Sequence, residues 1–302
     1  KKWGADILRL WVVSQDFRND IVVSEERINK VAETYRLLRN TLRYQLSNLY
    51  DFDPKQQALA EGHLTGLDRW ILGRFGELEQ QVAAAYDAYE YHVVYQKLSQ
   101  FAAVELSAIY HDLVKDRLYT DPANSARRRS TQTALHRMVT SLCKMLAPVL
   151  AFTADEAWEF VPGRETDSVH LLEWHPQPVS LNDDEKSIWE TFFKYRELIL
   201  PKLEEKRQEK AIGKALEAKV ILTPGADTPK AVLSDRGQFQ EILNVSQFVV
   251  AAPADAESLK VEHADGQKCE RCWHWETEVG SHAVHPTLCG RCVRAVEGAS
   301  AR

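Results

Sequence analysis

Over most of the first 160 residues, apolar side chains recur every three or four positions. After Ser24, residues Ile28, Val31, Tyr35, Leu38, Leu42, Leu46 and Leu49 fall on one helical face. That spacing predicts an amphipathic helix with Ser24 as its N-cap. Asp53-Pro54 and Gly62 punctuate a loop, after which Leu67, Trp70, Ile71, Leu78, Val82 and Tyr86 predict a second helix. A third carries Val94, Leu98, Phe101, Ile109 and Leu113 and ends before Asp121-Pro122; a fourth carries Leu135, Met138, Leu142 and Leu146 and stops near Pro148. Thr153-Ala-Asp-Glu156 reads as a capping box for a short fifth helix containing Trp158. Long amphipathic helices with short connections predict a helical bundle.

The pattern changes after Pro162-Gly163. Ser168–Leu172 reads as a short strand and Pro176-Gln-Pro178 as a linker. Asp183 or Asp184 is placed to cap a helix bearing Ile188, Trp189, Phe192, Tyr195, Leu198 and Leu203, with Pro201 expected to kink or break it. Ala218–Thr223, Val245–Ala251 and Leu259–Glu262 have strand character, with a helical stretch near Phe239–Leu243 between them. The expected fold class is mainly α. A helical bundle over 23–165 precedes a small α+β unit over 166–265, and a four-cysteine module over 266–302 closes the chain.

Composition places this pattern in an ordinary folded protein of 302 residues, 44% hydrophobic and 27% charged. No window supplies about 18 uncharged apolar residues, so no membrane span is expected. The start, Lys-Lys with no apolar core after it, does not resemble a signal peptide. It is also not Met, so the chain is read as a piece of something longer; separately, it is expected to be a monomer. Net charge is −6, which disfavours a general nucleic-acid coat, but it conceals two basic islands. Arg27, Lys30, Arg36, Arg39 and Arg43 stand against Glu33 alone; Lys115, Arg117, Arg127, Arg128, Arg129 and Arg137 stand against Asp116 and Asp121. Such islands in an acidic chain suit one specific polyanion, or else are solvated helix faces. Arg36, Arg39, Asn40 and Arg43 share one helix face at i, i+3, i+4 and i+7, an arrangement suited to phosphates and base edges.

Cysteine spacing is the most specific signal. Cys269-Glu-Arg-Cys272 and Cys289-Gly-Arg-Cys292 form two C-x-x-C pairs with 16 residues between them. This is the spacing of a single tetrahedral zinc site, and four thiolates leave no open position, so the ion is expected to be structural. Disulfides are the alternative, disfavoured without a secretion signal. Arg271, Arg291, Trp273 and Trp275 surround the knuckles; aromatic stacking with arginine is how unpaired RNA bases are held, while Trp273 could equally pack over the metal as a miniature core. Cys143 lies on an apolar helical stripe and reads as a buried small hydrophobe. Catalytic constellations are missing. There is no glycine-rich phosphate loop, no nucleophile elbow and no H-E-x-x-H pair. Asp183-Asp-Glu185 is explained by helix capping, and Ser168 with His170 by surface placement. The residues alone therefore predict a binding module.

Several segments resemble one family in order. Trp3–Trp11 (WGADILRLW) is similar to the segment after the KMSKS-type loop of a bacterial-type isoleucyl-tRNA synthetase, a class I aminoacyl-tRNA synthetase. Tyr35–Arg43 (YRLLRNTLR), Leu67–Trp70 (LDRW), Lys115–Tyr119 (KDRLY) and Leu146–Trp158 (LAPVLAFTADEAW) resemble its anticodon-binding helical domain. Ser168–Trp174 (SVHLLEW), Ile212–Val220 (IGKALEAKV), Lys268–Trp273 (KCERCW) and Leu288–Cys292 (LCGRC) continue the resemblance. It implies that residues 1–22 are a connector from a catalytic domain lying upstream, and that the parent ligates isoleucine to its tRNA using ATP in the cytoplasm. The fragment itself is expected to be catalytically inactive, with no ATP site. Its expected partner is the anticodon stem and loop of isoleucine tRNA, contacted by Arg36, Arg39, Asn40, Arg43, Arg271, Trp273 and Arg291. The alternatives are a stand-alone zinc-containing RNA- or DNA-binding module, since similar terminal knuckles occur in some DNA-repair glycosylases, and a purely structural domain.

Overall fold

The computed structural model describes residues 2–300; Lys1, at the head of the expected connector, and residues 301–302, at the end of the expected cysteine module, lie outside the described residues. In chain order the helices are α1 (Ala5–Val13), α2 (Glu25–Ser47), α3 (Pro54–Gln57), α4 (Gly66–Asp87), α5 (Tyr91–Phe101), a π-helical stretch (Ala102–Tyr110), α6 (His111–Leu113), α7 (Lys115–Thr120), α8 (Ala126–Leu146), α9 (Ala151–Trp158), α10 (Asp183–Gln208), α11 (Lys230–Ser234), α12 (Arg236–Leu243) and α13 (Gly290–Ser300). The strands are β1 (Ala218–Thr223), β2 (Gln247–Val250), β3 (Ser258–His263), β4 (Gln267–Lys268) and β5 (Trp275–Glu276). The chain divides into one unit of Lys1–Val114 with Ala126–Ser180, and a second of Lys115–Ser125 with Leu181–Arg302. This division keeps 166–180 with the helices, where the sequence pattern put a boundary after 165, and gives 115–125 to the second unit.

The first unit is the bundle that the 3.6-residue period predicts. Leu38 and Leu42 of α2, Ile71 and Phe75 of α4, Val94 and Leu98 of α5, and Leu135, Met138 and Leu142 of α8 fill its core. Buried Cys143 joins them, and burial pushes its thiol up to about 12. Ser24 caps α2 as expected, its hydroxyl accepting from the Arg27 N–H at 3.2 Å. Leu98, Ala102, Leu106 and Tyr110 are buried at a spacing of four, which an ordinary α-helix would rotate off the core. Underwinding into the π form keeps the row aligned. Asp68, wholly buried, joins three elements by accepting hydrogen bonds from Thr65 Oγ1 (2.7 Å), Tyr110 OH (2.6 Å) and Thr131 Oγ1 (3.1 Å). Pro178 is not in a loose linker: a Cβ at Gly76 would meet its Cα at 2.8 Å, so α4 needs a glycine to let this segment lie against it.

Within residues 1–22, α1 buries Leu10 and Asp6. Two local expectations are corrected. The capping box at Thr153–Glu156 does not form, since α9 begins at Ala151 with Leu150, three residues before Thr153, at its N-cap and no side-chain cap from that residue. Asp6 supplies the cap instead, accepting from the N–H groups of Phe152 (3.4 Å) and Thr153 (2.7 Å), while Glu156 turns to Arg39. Nor is Ser168–Leu172 a strand; it is a 3-10 turn at Val169–Leu171. There Ser168 Oγ donates to Asp155 at 2.6 Å and accepts from the His170 N–H, side-chain bonds that compete with extended backbone. Trp3 and Trp11 are half-buried.

In the second unit Asn182, not Asp183 or Asp184, caps α10 in a reciprocal box with Glu185 (2.8 and 3.0 Å). Pro201 does not break α10. Pro201 and Glu197, whose carbonyl loses its donor, are both exposed, so water can replace the missing bond. β1 is central, parallel to β2 (Val220 opposite Phe248) and antiparallel to β3 (Val220 opposite Val261). Phe239 of α12 covers the sheet, 4.9 Å from Phe248 and 5.3 Å from Phe192 of α10. β4 and β5 pair antiparallel. Gly266, at φ +89, begins that ribbon where a Cβ would lie 2.4 Å from the Glu276 backbone.

The second basic island is largely internal. Arg117, 2% exposed at its side chain, forms a fork with Glu241 (2.5 Å from both Nε and Nη2) within the second unit. In the first unit Arg128 grips Asp51 through two bonds (2.6 and 2.9 Å), and Arg129 donates to the Asp51 carbonyl and to Gln132. Burial pushes Asp51 up, but hydrogen bonds from Arg128 and Gln132 outweigh it and hold the carboxyl below its ordinary range. Its contribution to stability is therefore complete above the ordinary value of about 3.9 and is lost as pH falls through the depressed folded value. We expect Asp51→Asn, which breaks the Arg128 fork and leaves the Arg129 bonds to the residue-51 carbonyl and Gln132, to cost about 2–4 kcal/mol. Urea unfolding at pH 7 and pH 3 checks this, and the gap between variant and wild type should narrow at pH 3.

Candidate nucleic-acid interface and metal centre

The helix face read from the sequence exists in the first unit. Arg36, Arg39, Asn40 and Arg43 are all exposed on α2, while Leu38 and Leu42 of the same helix enter the core. They are not equivalent. Arg39 forms a two-bond fork with Glu156 of α9 (2.6 and 2.9 Å), and that carboxylate raises the guanidinium pKa further while its own is lowered. Arg36 and Arg43 make no ion pair among the described residues. Two guanidinium forks and an amide are thus presented to solvent along about two turns, with the third fork neutralised beside them. Such a row can take phosphate oxygens bidentately.

A groove with a volume of about 550 Å³ runs beside this face, between the C-terminal half of α2 and α9. Tyr50 and Phe160, at 82% and 67% exposure, are large aromatics held in water at its rim. Both escaped sequence reasoning, since a tyrosine after the α2 stripe and a phenylalanine after α9 look like the ends of apolar helix faces.

In the second unit the four cysteines converge. Their Sγ atoms all lie within 4.8 Å of one another, with Cys272 and Cys289 at 3.7 Å, and all four are buried. Sulfurs bound at 2.3 Å to a tetrahedral ion stand about 3.8 Å apart. The donor set, thiols only, matches a zinc or similar thiophilic ion. Each knuckle is built by backbone: the Trp273 N–H donates to the Cys269 carbonyl (2.9 Å), the Cys289 N–H to Cys269 Sγ (3.4 Å), and the Val293 N–H to the Cys289 carbonyl (3.0 Å). The Cys292 side chain, then burial, raises the Cys272 thiol; burial with the neighbouring Cys272 and Cys269 pushes Cys289 up to about 11. Four such groups share one pocket as thiolates only around a cation.

Arg271 and Arg291 point to α7 rather than to open solvent. Arg271 Nη1 donates to the Thr120 carbonyl and lies 3.7 Å from Cys292 Sγ. Arg291 forms a fork with Asp116, 2.5 Å at Nη1 and 2.7 Å at Nη2, and its Nη1 also reaches Asp121 at 3.4 Å. Burial opposes the charge on Arg291, but Asp116 outweighs it and keeps the guanidinium protonated. Trp273 has the opposite character. It is 53% exposed rather than packed over the metal, and its backbone sits at φ +67, the left-handed region that a bulky side chain enters at a cost of about 1–2 kcal/mol. Lys214 and Lys268 hold their ammonium groups 5.3 and 5.7 Å from its ring. An exposed indole flanked by two cations is a platform for a base with its phosphates. Only Trp273 of the three was legible from the sequence, because Lys214 is distant in the chain.

Comparison with known proteins agrees with this arrangement. Residues 68–222 match the anticodon-binding domain of tRNA ligase, and residues 266–295 match the zinc finger found in FPG and IleRS. The chain is 42% identical to the isoleucine–tRNA ligase of Geobacillus kaustophilus (strain HTA426) over 98% of its own length and 34% of the relative's. It is 43% identical to that of Syntrophotalea carbinolica over 97% and 33%, respectively. The chain spans about a third of the length of these curated relatives. No helix among the described residues is long and apolar enough to cross a membrane. With the anticodon-binding match extending over more than half of its length, the chain belongs to the anticodon-binding domain family of tRNA ligases and carries the zinc finger found in FPG and IleRS.

Proposed function

We propose that this chain is the tRNA-reading part of an isoleucine–tRNA ligase, gripping the anticodon stem and loop of isoleucine tRNA in the cytoplasm as a monomer. The observation that supports this reading is an α2 face on which Arg36, Asn40 and Arg43 stand exposed and unneutralised, N-terminal to the anticodon-binding match over 68–222 and in the same unit as much of it. Phosphate contacts from the two guanidiniums fix register, and contacts to base edges supply identity. Trp273, with Lys214 and Lys268, offers a second platform that suits a base and its phosphate. Ligation of isoleucine with ATP belongs to the parent, on the two-thirds of the relatives' length that this chain does not span. The chain alone is inactive in isoleucine-dependent pyrophosphate exchange in this reading. One zinc ion held by Cys269, Cys272, Cys289 and Cys292 has a structural role, since four thiolates fill its coordination sphere. Arg271 and Arg291 act through the knuckles, by tying them to α7.

The deciding experiment is a titration of the zinc-loaded chain, at one stated salt concentration, with isoleucine tRNA and with the same tRNA after anticodon exchange. Loss of binding on exchange supports the reading. Equal binding favours a stand-alone nucleic-acid module, and no binding to either favours a structural domain. In the same assay Arg36→Ala with Arg43→Ala should weaken binding and reduce the slope of log affinity against log salt by about 1–2. Unchanged affinity and slope would remove the α2 face from the interface.

Chelation of the metal should unfold residues 266–295 together, because the binding energy of the ion is the folding energy of the finger. Amide exchange before and after a strong chelator checks this; protection in the α4 and α8 core, in the other unit, should persist. Trp273→Gly separates stability from binding. Glycine enters the left-handed region freely, so the finger should be as stable as wild type or up to about 1 kcal/mol more stable. Loss of the indole should nevertheless weaken tRNA binding about tenfold. A variant less stable than wild type would show that Trp273 serves packing.

A further inference from the structure

A cavity of about 280 Å³ opens in the first unit, lined by α4, α8 and the chain at 173–179. Leu72 and Phe75 of α4, with Trp174 and Val179, are its apolar lining. Its polar lining includes Glu79, one turn beyond Phe75 on α4, and His136, Thr140 and Ser141 of α8. None of these residues belongs to the α2 face or to the finger, so the RNA-binding reading makes no use of them.

Glu79 is the member that demands an explanation. It is 3% exposed, and no cation meets it among the described residues. Oε1 accepts from Ser141 Oγ, and Oε2 accepts from the Gln177 N–H at 3.1 Å. Ser141 accepts in turn from the Trp174 indole N–H at 2.9 Å, which ties the carboxylate to an aromatic member of the lining. Two hydrogen bonds leave the carboxylate further lone pairs to offer, and a buried charge without a counter-ion is costly.

Two more groups bring acceptor capacity to the same lining. His136 Nε2 donates to the Pro162 carbonyl at 2.9 Å. Burial lowers the pKa of that ring and keeps it neutral near pH 7, so Nδ1 is a bare acceptor. Thr140 Oγ1 is buried and has no hydrogen-bond partner. The two cations of the lining are engaged elsewhere: Arg137 Nη2 donates to the Gln177 carbonyl at 3.3 Å, and the Lys144 ammonium lies 5.8 Å from the Trp158 ring centre. Acceptors in excess, one of them a full negative charge, reject an anion and call for a cation rich in donors. The apolar lining calls for a short hydrocarbon body, and the volume lies just below the range of about 300–1,000 Å³ usual for ligand pockets.

We propose that this cavity binds a small primary amine, whose ammonium pairs with Glu79 and donates to His136 Nδ1 and Thr140 Oγ1 while its hydrocarbon chain covers Phe75 and Trp174. Three donors then meet three acceptors, and the buried carboxylate gains its counter-ion. Binding needs neither the metal nor RNA.

The test titrates the zinc-loaded chain with n-butylamine and with n-butanol, which matches it in size but carries no charge. The readout is the Trp174 indole N–H resonance, assigned by its loss in Trp174→Phe. The amine should shift it in a saturable way, half-complete at about 1 mM, and the alcohol should not. No shift with the amine, or an equal shift with the alcohol, overturns the proposal. Glu79→Gln keeps an acceptor for Ser141 and removes the charge, so it should bind the amine at least about tenfold more weakly. Thr140→Val leaves the carboxylate in place and removes only the unpartnered hydroxyl; it should fold as wild type does and bind about threefold more weakly. Wild-type amine affinity in these variants overturns the proposal.

Discussion

Removing one partner from a buried charge pair costs several kcal/mol, and the six residues of α7 place one such pair, a second that is partly buried, and a carbonyl acceptor against the rest of the second unit. Asp116 accepts the fork of Arg291, Arg117 forms its own fork with Glu241 of α12, and the Thr120 carbonyl accepts from Arg271. The finger and the small sheet domain are thereby both tied to one short helix that enters from far back in the chain. None of the three connections is apolar, so none is tolerant of sliding by a residue. Geometry of this kind specifies one docked arrangement rather than many, which is the best-attested use of buried ionic groups. A finger of about thirty residues has little core beyond its cysteines, Val279 and Leu288. It therefore relies on its ion for folding and on α7 for position.

The same chemistry serves opposite ends elsewhere in the molecule. Arg117, Arg128 and Arg291 each meet a carboxylate inside their unit, and the charge they carry is cancelled where it stands. Arg36 and Arg43 meet none, so their charge reaches the solvent and whatever approaches through it. Arg39 falls between, neutralised but exposed. Net charge along a segment cannot distinguish these cases, because the partner of Arg128 lies 77 residues away and that of Arg291 lies 175 away. This is why two islands of equal charge in the sequence become one exposed cationic face and one set of internal clamps.

What was legible in the sequence follows the range of the forces involved. Apolar periodicity located the bundle helices, and the strands of the small sheet appeared within a few residues of their expected places, since both patterns are repeated over many residues. The cysteine pairs were legible because metal geometry leaves little freedom in spacing. Single local contests were not. Thr153 has the residue type of a cap, but a carboxylate from α1 takes that role, and no local pattern records a partner 147 residues away. Asn182 displaced Asp183 by one position because only it makes the reciprocal box with Glu185. The insertion of α7 into the second unit was invisible, as its residues read as one more amphipathic turn. Among site residues, the α2 face was legible from helical spacing, whereas Lys214, Lys268, Tyr50 and Phe160 join the candidate surfaces only through tertiary placement.

Trp273 shows how a site can be recognised when no ligand is present. The residue immediately after Cys272 turns the chain, and does so at φ +67. Glycine meets that demand without strain, so the backbone alone gives no reason for the largest side chain to be there. Packing gives none either, since half of the indole is in water and its Lys214 and Lys268 neighbours are cations rather than apolar partners. The knuckle holds the turn itself, through the Trp273 N–H bond to the Cys269 carbonyl at 2.9 Å, so the choice of an indole at this position is left to what its exposed face can meet. An exposed π-face between two ammonium groups suits a ligand that is flat and negatively charged. The finger's own energetics thus point to the same chemistry of ligand as the α2 face, from a different element and by an independent argument.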